Sequence, residues 1–195
     1  MNKLWAILLI FLLAGCGGLG SPKNIVPIPD PEMTYLKRTK GVAITKDNIS
    51  VVAVSLQDVK ELDGFGVMIV NDSSNWIRLK KEECMLVQNG QVLHPLKDNK
   101  VLSRLGSSYK FMMPGELNVD IYEWRRDGNV KSFVDSKVVD EDMSISIIAG
   151  SRENIFLFFN TQGNTAPMQL IIPNIHNEAT NQRTNFSFRF VLEKK

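Results

Sequence analysis

Residues 184–192 alternate between apolar and polar side chains, with Phe186, Phe188 and Phe190 at every second position and Arg189 on the opposite side. Successive side chains of a β-strand point to opposite faces of a sheet, so this pattern predicts a strand with one face in a core and the other in solvent. Other short apolar or alternating runs predict further strands at residues 48–56, 65–71, 76–79, 83–88, 130–136, 143–149, 155–159 and 168–172.

Turn residues separate these runs. Asn89-Gly90, between two apolar runs, predicts a tight hairpin because both residues tolerate positive φ. Pro173 and Asn174 are expected to end the strand that begins at residue 168. The sequence lacks the alternation of strands with helices that would suggest a parallel sheet. Together these signals predict an all-β fold, an antiparallel β-sandwich formed by residues 42–195.

Residues 96–128 do not follow the strand pattern and predict an irregular or partly helical insertion. Asp98 is a candidate cap for a short helix, and residues 116–126 fit either a helical or a strand period.

Aromatic and arginine side chains are common interface anchors, and flexible methionines beside aromatics suit adaptable surfaces. We therefore take the insertion as the candidate contact surface. The alternative is a lid over one open end of the sandwich, with Trp124 closing the core and the arginines in solvent. The candidate partner-binding residues are Tyr122, Trp124, Arg125 and Arg126.

The first sixteen residues have the pattern of an export signal. Lys3 is followed by an unbroken apolar run at residues 4–14. Eleven residues make a helix of roughly 16 Å, too short for a bilayer core of about 30 Å, so residues 1–15 are predicted to be a signal peptide. The sequence Leu-Ala-Gly-Cys at positions 13–16 resembles the lipobox of bacterial lipoproteins. The resemblance implies a diacylglycerol on Cys16 and cleavage before it, so the lipid bilayer is an expected partner. The alternatives are an uncleaved membrane anchor and an ordinary signal peptide with a chance cysteine.

Residues 16–41 are predicted to be a lipidated N-terminus and a Pro-rich linker, with Pro residues that favour an extended path. The alternative is a first edge strand, since Ile25, Val26 and Ile28 are apolar. Gly17 rather than Asp follows the cysteine. By resemblance to Gram-negative lipoproteins, this implies location in the cell envelope, at the outer membrane facing the periplasm if the host has one.

Residues 67–71, 150–159 and 186–192 resemble strands of the small immunoglobulin-like domains found in many bacterial lipoproteins of unassigned function. The resemblance implies an immunoglobulin-like sandwich and carries over no site residues. The Cys…Trp…Cys spacing of immunoglobulin domains is absent from this chain.

Few residues suit catalysis or metal binding. The chain has two cysteines, and a lipid on Cys16 would leave Cys84 without a partner, so Cys84 is expected to be a buried strand residue. His94 and His176 are expected in exposed loops rather than in a zinc site. Residues 140–142 are acidic, but adjacent carboxylates do not all reach one calcium ion, so a solvated turn is expected. We therefore expect no metal, no cofactor and no catalytic residues.

Charge narrows the functional classes further. The formal net charge is +2, which gives no basic excess for nucleic acid. The favoured hypothesis is a membrane-anchored, non-catalytic binding or assembly module whose partner is another envelope protein. A lipoprotein that captures a glycan or small ligand is the second hypothesis, although an aromatic fraction of 8% leaves few rings for a binding surface once a core is filled. An envelope enzyme is the third, and it lacks a recognisable acid–base pair.

Overall fold

The computed structural model describes residues 24–56, 59, 61–125, 144–161 and 166–193, together with the backbone of residues 134–135 and 138–139. Two β-sheets, almost wholly antiparallel, pack face to face, which confirms the predicted all-β sandwich. In chain order the strands are β1 (Asn24–Pro27), β2 (Thr34–Tyr35), β3 (Val42–Lys46), β4 (Ile49–Leu56), β5 (Leu62–Asn71), β6 (Ile77–Lys80), β7 (Met85–Gln88), β8 (Gln91–Leu93), β9 (Val134–Asp135), β10 (Val138–Val139), β11 (Ser144–Ile147), β12 (Ser151–Asn160), β13 (Met168–Asn177) and β14 (Arg183–Glu193).

The first sheet has the order β1-β14-β13-β6-β11-β10, and every pairing in it is antiparallel. β13 is long enough to pair with β6 along one half and with the hairpin strand β7 along the other. A 3-10 turn at Lys81–Glu83 carries the chain from β6 towards β7. Asn89 and Gly90 form the predicted hairpin turn between β7 and β8, with φ values of 51° and 76°.

The second sheet has the order β2-β3-β4-β5-β12-β9, with one parallel pair between β9 and β12. Lys46 pairs with Ile49, so Asp47 and Asn48 form a two-residue turn between β3 and β4. Both turn residues have positive φ, 54° and 58°, which is what a hairpin turn of this length requires. The sequence analysis did not predict this hairpin.

The main core lies between the two sheets and contains the inward side chains of both. Phe65 on β5 lies near its middle, with its ring centroid 5.0 Å from that of Phe190 and 6.2 Å from that of Phe159. Phe186 and Phe188 are fully buried there, as the alternation predicts. The prediction of which side chains of residues 184–192 face the core is therefore confirmed.

Two helices, α1 (Asp98–Leu105) and α2 (Leu117–Trp124), cover the outer face of the second sheet. We call residues 96–125 the helical layer. Leu117 and Ile121 pack on outward side chains of β3, β4 and β5, and Val101 packs with Phe158 of β12. All ten residues of β5 are buried because each of its faces has a cover. The insertion is therefore partly helical, as predicted, but it covers a sheet face and not an open end of the sandwich.

Residues 24–41, which were predicted to be part of a linker, contribute to the sandwich. β1 pairs with β14, and Ile25 is buried in the main core. Leu36 lies beneath the helical layer, and β2 pairs with β3. The pairing of β1 agrees with the alternative of an edge strand at these residues.

Two predictions for β13 need correction. Pro173 and Asn174 do not end β13 but lie in a bulge between Ile172 and Ile175, and Asn174 has a φ of 55°. A bulge tolerates proline because the extra residues leave the ladder. His176 lies on β13 and is half-buried, not in a loop, and its ring shares a hydrogen bond with Asn181.

Polar residues of β11 and α1 also differ from expectation. Ser144 and Ser146 are buried, whereas the alternating pattern places them in solvent. Asp98 lies inside the first turn of α1 and makes no cap hydrogen bond. Its carboxylate instead forms an ion pair with Lys81, with 2.6 Å between the Lys81 Nζ and the Asp98 Oδ1 atoms.

Several predictions fall on residues outside those described. These are Cys16 with the signal peptide, Arg126, the acidic residues 140–142 and most of the strand expected at 130–136. Within the described ranges, no helix is long and apolar enough to cross a bilayer.

Candidate functional site

The helical layer is fastened to the second sheet through Asp120 of α2. Its carboxylate accepts hydrogen bonds from the backbone N–H of Arg38 at 3.1 Å and from that of Thr39 at 2.8 Å. The Thr39 hydroxyl donates a third bond of 2.7 Å. The Arg38 guanidinium also pairs with Glu123 at 2.8 Å. The loop between β2 and β3 is therefore joined to one side of α2.

Two opposing effects act on the pKa of Asp120. Burial of the side chain disfavours the carboxylate and by itself would raise the pKa. The hydrogen bonds from Thr39 and Arg38 stabilise the charged form, outweigh burial, and leave the pKa of Asp120 below its usual value. The carboxylate is thus ionised at neutral pH and acts as a fixed acceptor that holds the loop.

Trp124 and Arg125 have structural contacts at the other end of α2. Trp124 is partly buried against the apolar cluster beneath the helix. Arg125 forms an ion pair of 2.6 Å with Asp72, which follows β5. Of the four candidate contact residues, Tyr122 is exposed and Arg126 lies outside the described residues. The structure therefore separates the predicted cluster into an exposed tyrosine and two residues that hold the helix in place.

A cleft of about 460 Å³ opens between the helical layer and the end of β4. This volume falls within the range of about 300–1,000 Å³ found for small-ligand pockets. Ser55 and Leu56 of β4 lie on one side, the β2–β3 loop on the second and the connection between α1 and α2 on the third. Its lining residues are Arg38, Thr39, Ser55, Leu56, Tyr109, Lys110, Met112, Met113, Pro114 and Glu116.

Aromatic contacts hold the α1–α2 connection against the sheet. The rings of Tyr109 and Phe111 both meet Phe158 edge-on, at centroid distances of 6.0 and 5.6 Å. Met113 lies over Gly66 of β5, where a Cβ atom would be only 2.5 Å from the Met113 sulfur. The connection is thus seated by its own side chains, and the adjoining wall of the cleft is preformed.

The polar groups that line the cleft differ in their access to solvent and to hydrogen-bond partners. The Ser55 hydroxyl is shielded from solvent and has no hydrogen-bond partner among the described residues. Lys110 and Glu116 are exposed at the rim. Because the Ser55 oxygen is shielded from solvent, the polar groups that a ligand in the cleft would meet are those of the exposed lining residues, such as Lys110 and Glu116.

The outer surface of the helical layer carries three exposed apolar side chains. Met112 is 65% exposed, Tyr122 is 61% exposed and Val119 is 44% exposed. Val119 and Tyr122 are three residues apart on α2, so they lie side by side on its outer face. Met112 lies on the connection between α1 and α2 and lines the cleft. We use the name apolar patch for these three exposed side chains of the helical layer, Met112, Val119 and Tyr122.

Cys84 and His94 were the residues most suited to catalysis by their chemistry. Cys84 is fully buried, and burial raises the pKa of its thiol to about 12. The neutral thiol is a weak nucleophile at physiological pH. His94 is exposed, as predicted. Among the described residues, no three His, Cys, Asp or Glu side chains are grouped closely enough to hold a metal ion.

Replacing Ser55 with alanine tests the unmet hydroxyl. We expect Ser55→Ala to leave the melting temperature unchanged or slightly higher, because it removes a desolvated polar group that has no bond to lose. Thermal unfolding of the purified protein measures this effect, with Thr39→Ala as a matched hydroxyl deletion. Thr39→Ala should lower the melting temperature because the Thr39 hydroxyl binds Asp120. A clear loss of stability in Ser55→Ala would mean that this hydroxyl has a partner in the folded protein.

The sequence analysis missed Asp120, Ser55 and the cleft. Asp120 is a single acidic residue within an ambiguous run, and its partners lie more than eighty positions away, so no local signal marks it. Ser55 occupies an ordinary position in an alternating strand. The exposed methionine and tyrosine of the insertion were the only usable sequence signal for this region. No protein-family model, no curated protein and no solved structure matches this chain.

Proposed function

We propose that this protein is a lipid-anchored envelope lipoprotein that acts as a non-catalytic binding or assembly module. The lipobox-like sequence ending at Cys16 supports the anchor, and the Gly at position 17 supports an outer-membrane location facing the periplasm in a Gram-negative host. The sandwich is the rigid support in this proposal. The partner is another envelope protein, which meets the helical layer.

The apolar patch is the observation that supports this contact surface. The layer beneath it has a structural role, because it covers the outer face of the second sheet. Covering the sheet does not require Met112, Val119 or Tyr122, which face solvent. Exposed methionine and tyrosine side chains on a rigid support are typical of protein contact sites. The proposed site is therefore the apolar patch, without Trp124 and Arg125.

Polar substitution of the patch tests this site. We expect the triple variant Met112→Ser, Val119→Ser, Tyr122→Ser to lose co-purified envelope partners while its melting temperature changes little, because exposed substitutions have small effects on stability. Val92→Ser, an exposed apolar residue on the first sheet, is the matched control and should retain the partners. Retention of the same partners by the triple variant would exclude the patch as their contact site.

Replacement of Cys16 tests the anchor. Cys16→Ser removes the thiol that would carry the diacylglycerol, so we expect signal-peptide processing to stop at the unmodified precursor. Acylation with more than one chain provides stable membrane attachment, whereas one chain is marginal. Electrophoretic mobility and membrane fractionation measure both effects. A Ser variant that is processed and distributed like the wild type would contradict the lipobox.

The cleft favours a second candidate function, the capture of a small ligand. Its volume and its mixed apolar and charged lining are suited to a compact molecule with an apolar body and a polar group. A library of envelope metabolites, screened by thermal shift on the wild type and Lys110→Ala, tests this function. A ligand that contacts Lys110 in the cleft should bind the variant up to about tenfold more weakly, because one polar contact is lost. Equal shifts in both proteins would place the ligand elsewhere.

A further inference from the structure

The position of β1 fixes where a lipid tether would join the domain. β1 begins at Asn24, which pairs with Glu193 at the end of β14. Eight residue steps separate Cys16 from Asn24 in the sequence. Even a fully extended chain of this length spans no more than about 29 Å. If Cys16 is acylated, as the proposed function holds, this end of the sandwich stays close to the bilayer.

The strand directions show which parts of the molecule lie at that end. The Thr184 hydroxyl donates a 2.7 Å hydrogen bond to Asp47, which joins the start of β14 to the turn before β4. β14 and β4 therefore begin together at one end. β12 runs in the same direction as β4, because both are antiparallel to β5. The ends of β4, β12 and β14 and the start of β1 thus share the tethered end.

Helix α1 lies at this tethered end. The Arg104 guanidinium donates a 2.7 Å hydrogen bond to the side chain of Asn160, the last residue of β12. Val101 is buried against Leu62 and Phe158. The helix is therefore held on the end of the second sheet by an apolar contact and a hydrogen bond.

The exposed side of α1 is basic. Lys100 and Arg104 are exposed and lie four residues apart, which places them on one face of α1. Lys97 is also exposed and immediately precedes the first turn of the helix. The only acidic residue of the helix, Asp98, is paired with Lys81. The three cations thus form a basic face next to the tethered end.

Charges at the opposite end are balanced. There Asp72 pairs with Arg125 at 2.6 Å, and Glu178 pairs with Arg78 at 2.8 Å. Glu61 and Glu193 are exposed at the tethered end, so the feature that favours an anionic surface there is the cluster of cations on α1 rather than the net charge of that end. The basic side chains of α1 lie at the end that the tether would bring to the bilayer.

We propose that the basic face of α1 lies on the anionic phospholipid headgroups of the leaflet that holds the anchor. Basic residues close to an anionic leaflet are attracted to it over about one Debye length. A short tether keeps the domain at a high effective concentration near the surface, so three cations are enough for a weak, reversible contact. This orientation leaves the outer face of α2 free for a partner protein. The proposal rests on the lipid anchor of the proposed function.

The test uses the full acylated protein in phosphatidylcholine vesicles with and without phosphatidylglycerol. A fluorophore is attached at Ser103→Cys on α1 or, as the control, at Thr180→Cys in the turn at the opposite end. The native Cys84 is buried and does not interfere. A nitroxide-labelled headgroup quenches fluorophores that approach the surface. We expect several-fold stronger quenching at position 103 than at position 180 on anionic vesicles, and a smaller difference on neutral vesicles or at high salt.

Removing positive charge from α1 distinguishes a failure of the proposed orientation from a failure of the lipid anchor. Lys97→Gln with Lys100→Gln should lower the quenching at position 103 on anionic vesicles to the level seen on neutral vesicles, while the protein still floats with both. The pair leaves Arg104 and its bond to Asn160 intact, so the helix should remain in place. Flotation with equal quenching at positions 103 and 180 on anionic vesicles would overturn the proposed orientation. Failure to float with either vesicle would overturn the anchor itself, and the orientation with it.

Discussion

Phe188→Ala is expected to destabilise the protein by about 3–5 kcal/mol, because it leaves a cavity between the two sheets. Total stability of a domain is about 5–15 kcal/mol, so this is a large fraction of it. For a chain of this size the melting temperature should fall by roughly 10 °C. Thermal and denaturant unfolding of the purified protein measure the change.

Arg189→Ala is the matched control on the same strand. Arg189 is exposed, and its neighbour Phe188 points to the opposite face of β14. We expect a change within about 0.5 kcal/mol for the arginine variant. Similar losses in the two variants would mean that the faces of β14 are exchanged, since a register shift of one residue moves every side chain to the other face.

Asp120→Ala is the second variant with a large expected effect. It removes the carboxylate that accepts three hydrogen bonds from Arg38 and Thr39. Hydrogen bonds to charged groups contribute about 1.5–3 kcal/mol each, but these donors are only part-buried and can regain water, so we expect a loss of about 2–3 kcal/mol in all. Glu123→Ala, which removes an exposed partner of Arg38, should cost much less, because solvent screens an exposed ion pair. Equal losses would mean that Asp120 has no special role in holding the layer.

The Asp120 contribution should also depend on pH. Because its pKa is lower in the folded protein, ionised Asp120 stabilises the fold fully above the unfolded pKa of about 3.9. The stabilisation is lost as the pH falls through the folded value. The stability difference between wild type and Asp120→Asn should therefore be constant near neutrality and shrink below about pH 4. A difference that grows on acidification would contradict the lowered pKa.

The strands that alternate or end at clear turns could be predicted from the sequence. β14 and the β7–β8 hairpin are determined by local patterns, so their assignment needs no knowledge of the rest of the chain. Residues 65–71 of β5 carry apolar side chains on both faces, which is typical of a strand buried on both sides, but the sequence does not say what covers the second face. That cover comes from α1 and α2, whose short and ambiguous runs do not reveal their packing partners.

β1 and the bulge in β13 show a different limit. β1 has only four residues and ends in proline, so it is too short for a periodic signal. Its pairing with β14 is a long-range contact that local sequence does not encode. In β13, proline was expected to end the strand, but the chain resumes pairing after the bulge. The ion pair between Arg125 and Asp72 is likewise a long-range contact, so the sequence alone does not show that Arg125 has a partner within the sandwich.

Photo-crosslinking from the apolar patch in living cells tests the binding proposal most directly. A photoreactive amino acid at position 122 is compared with the same group at position 92, which is also exposed but lies on the first sheet. Trp124→Ala provides a structural control, since it should lower the melting temperature by weakening the helical layer. We expect a discrete envelope-protein adduct from position 122 and none from position 92. Adducts from position 92 alone, or no adduct from position 122, would contradict a binding module that uses the helical layer.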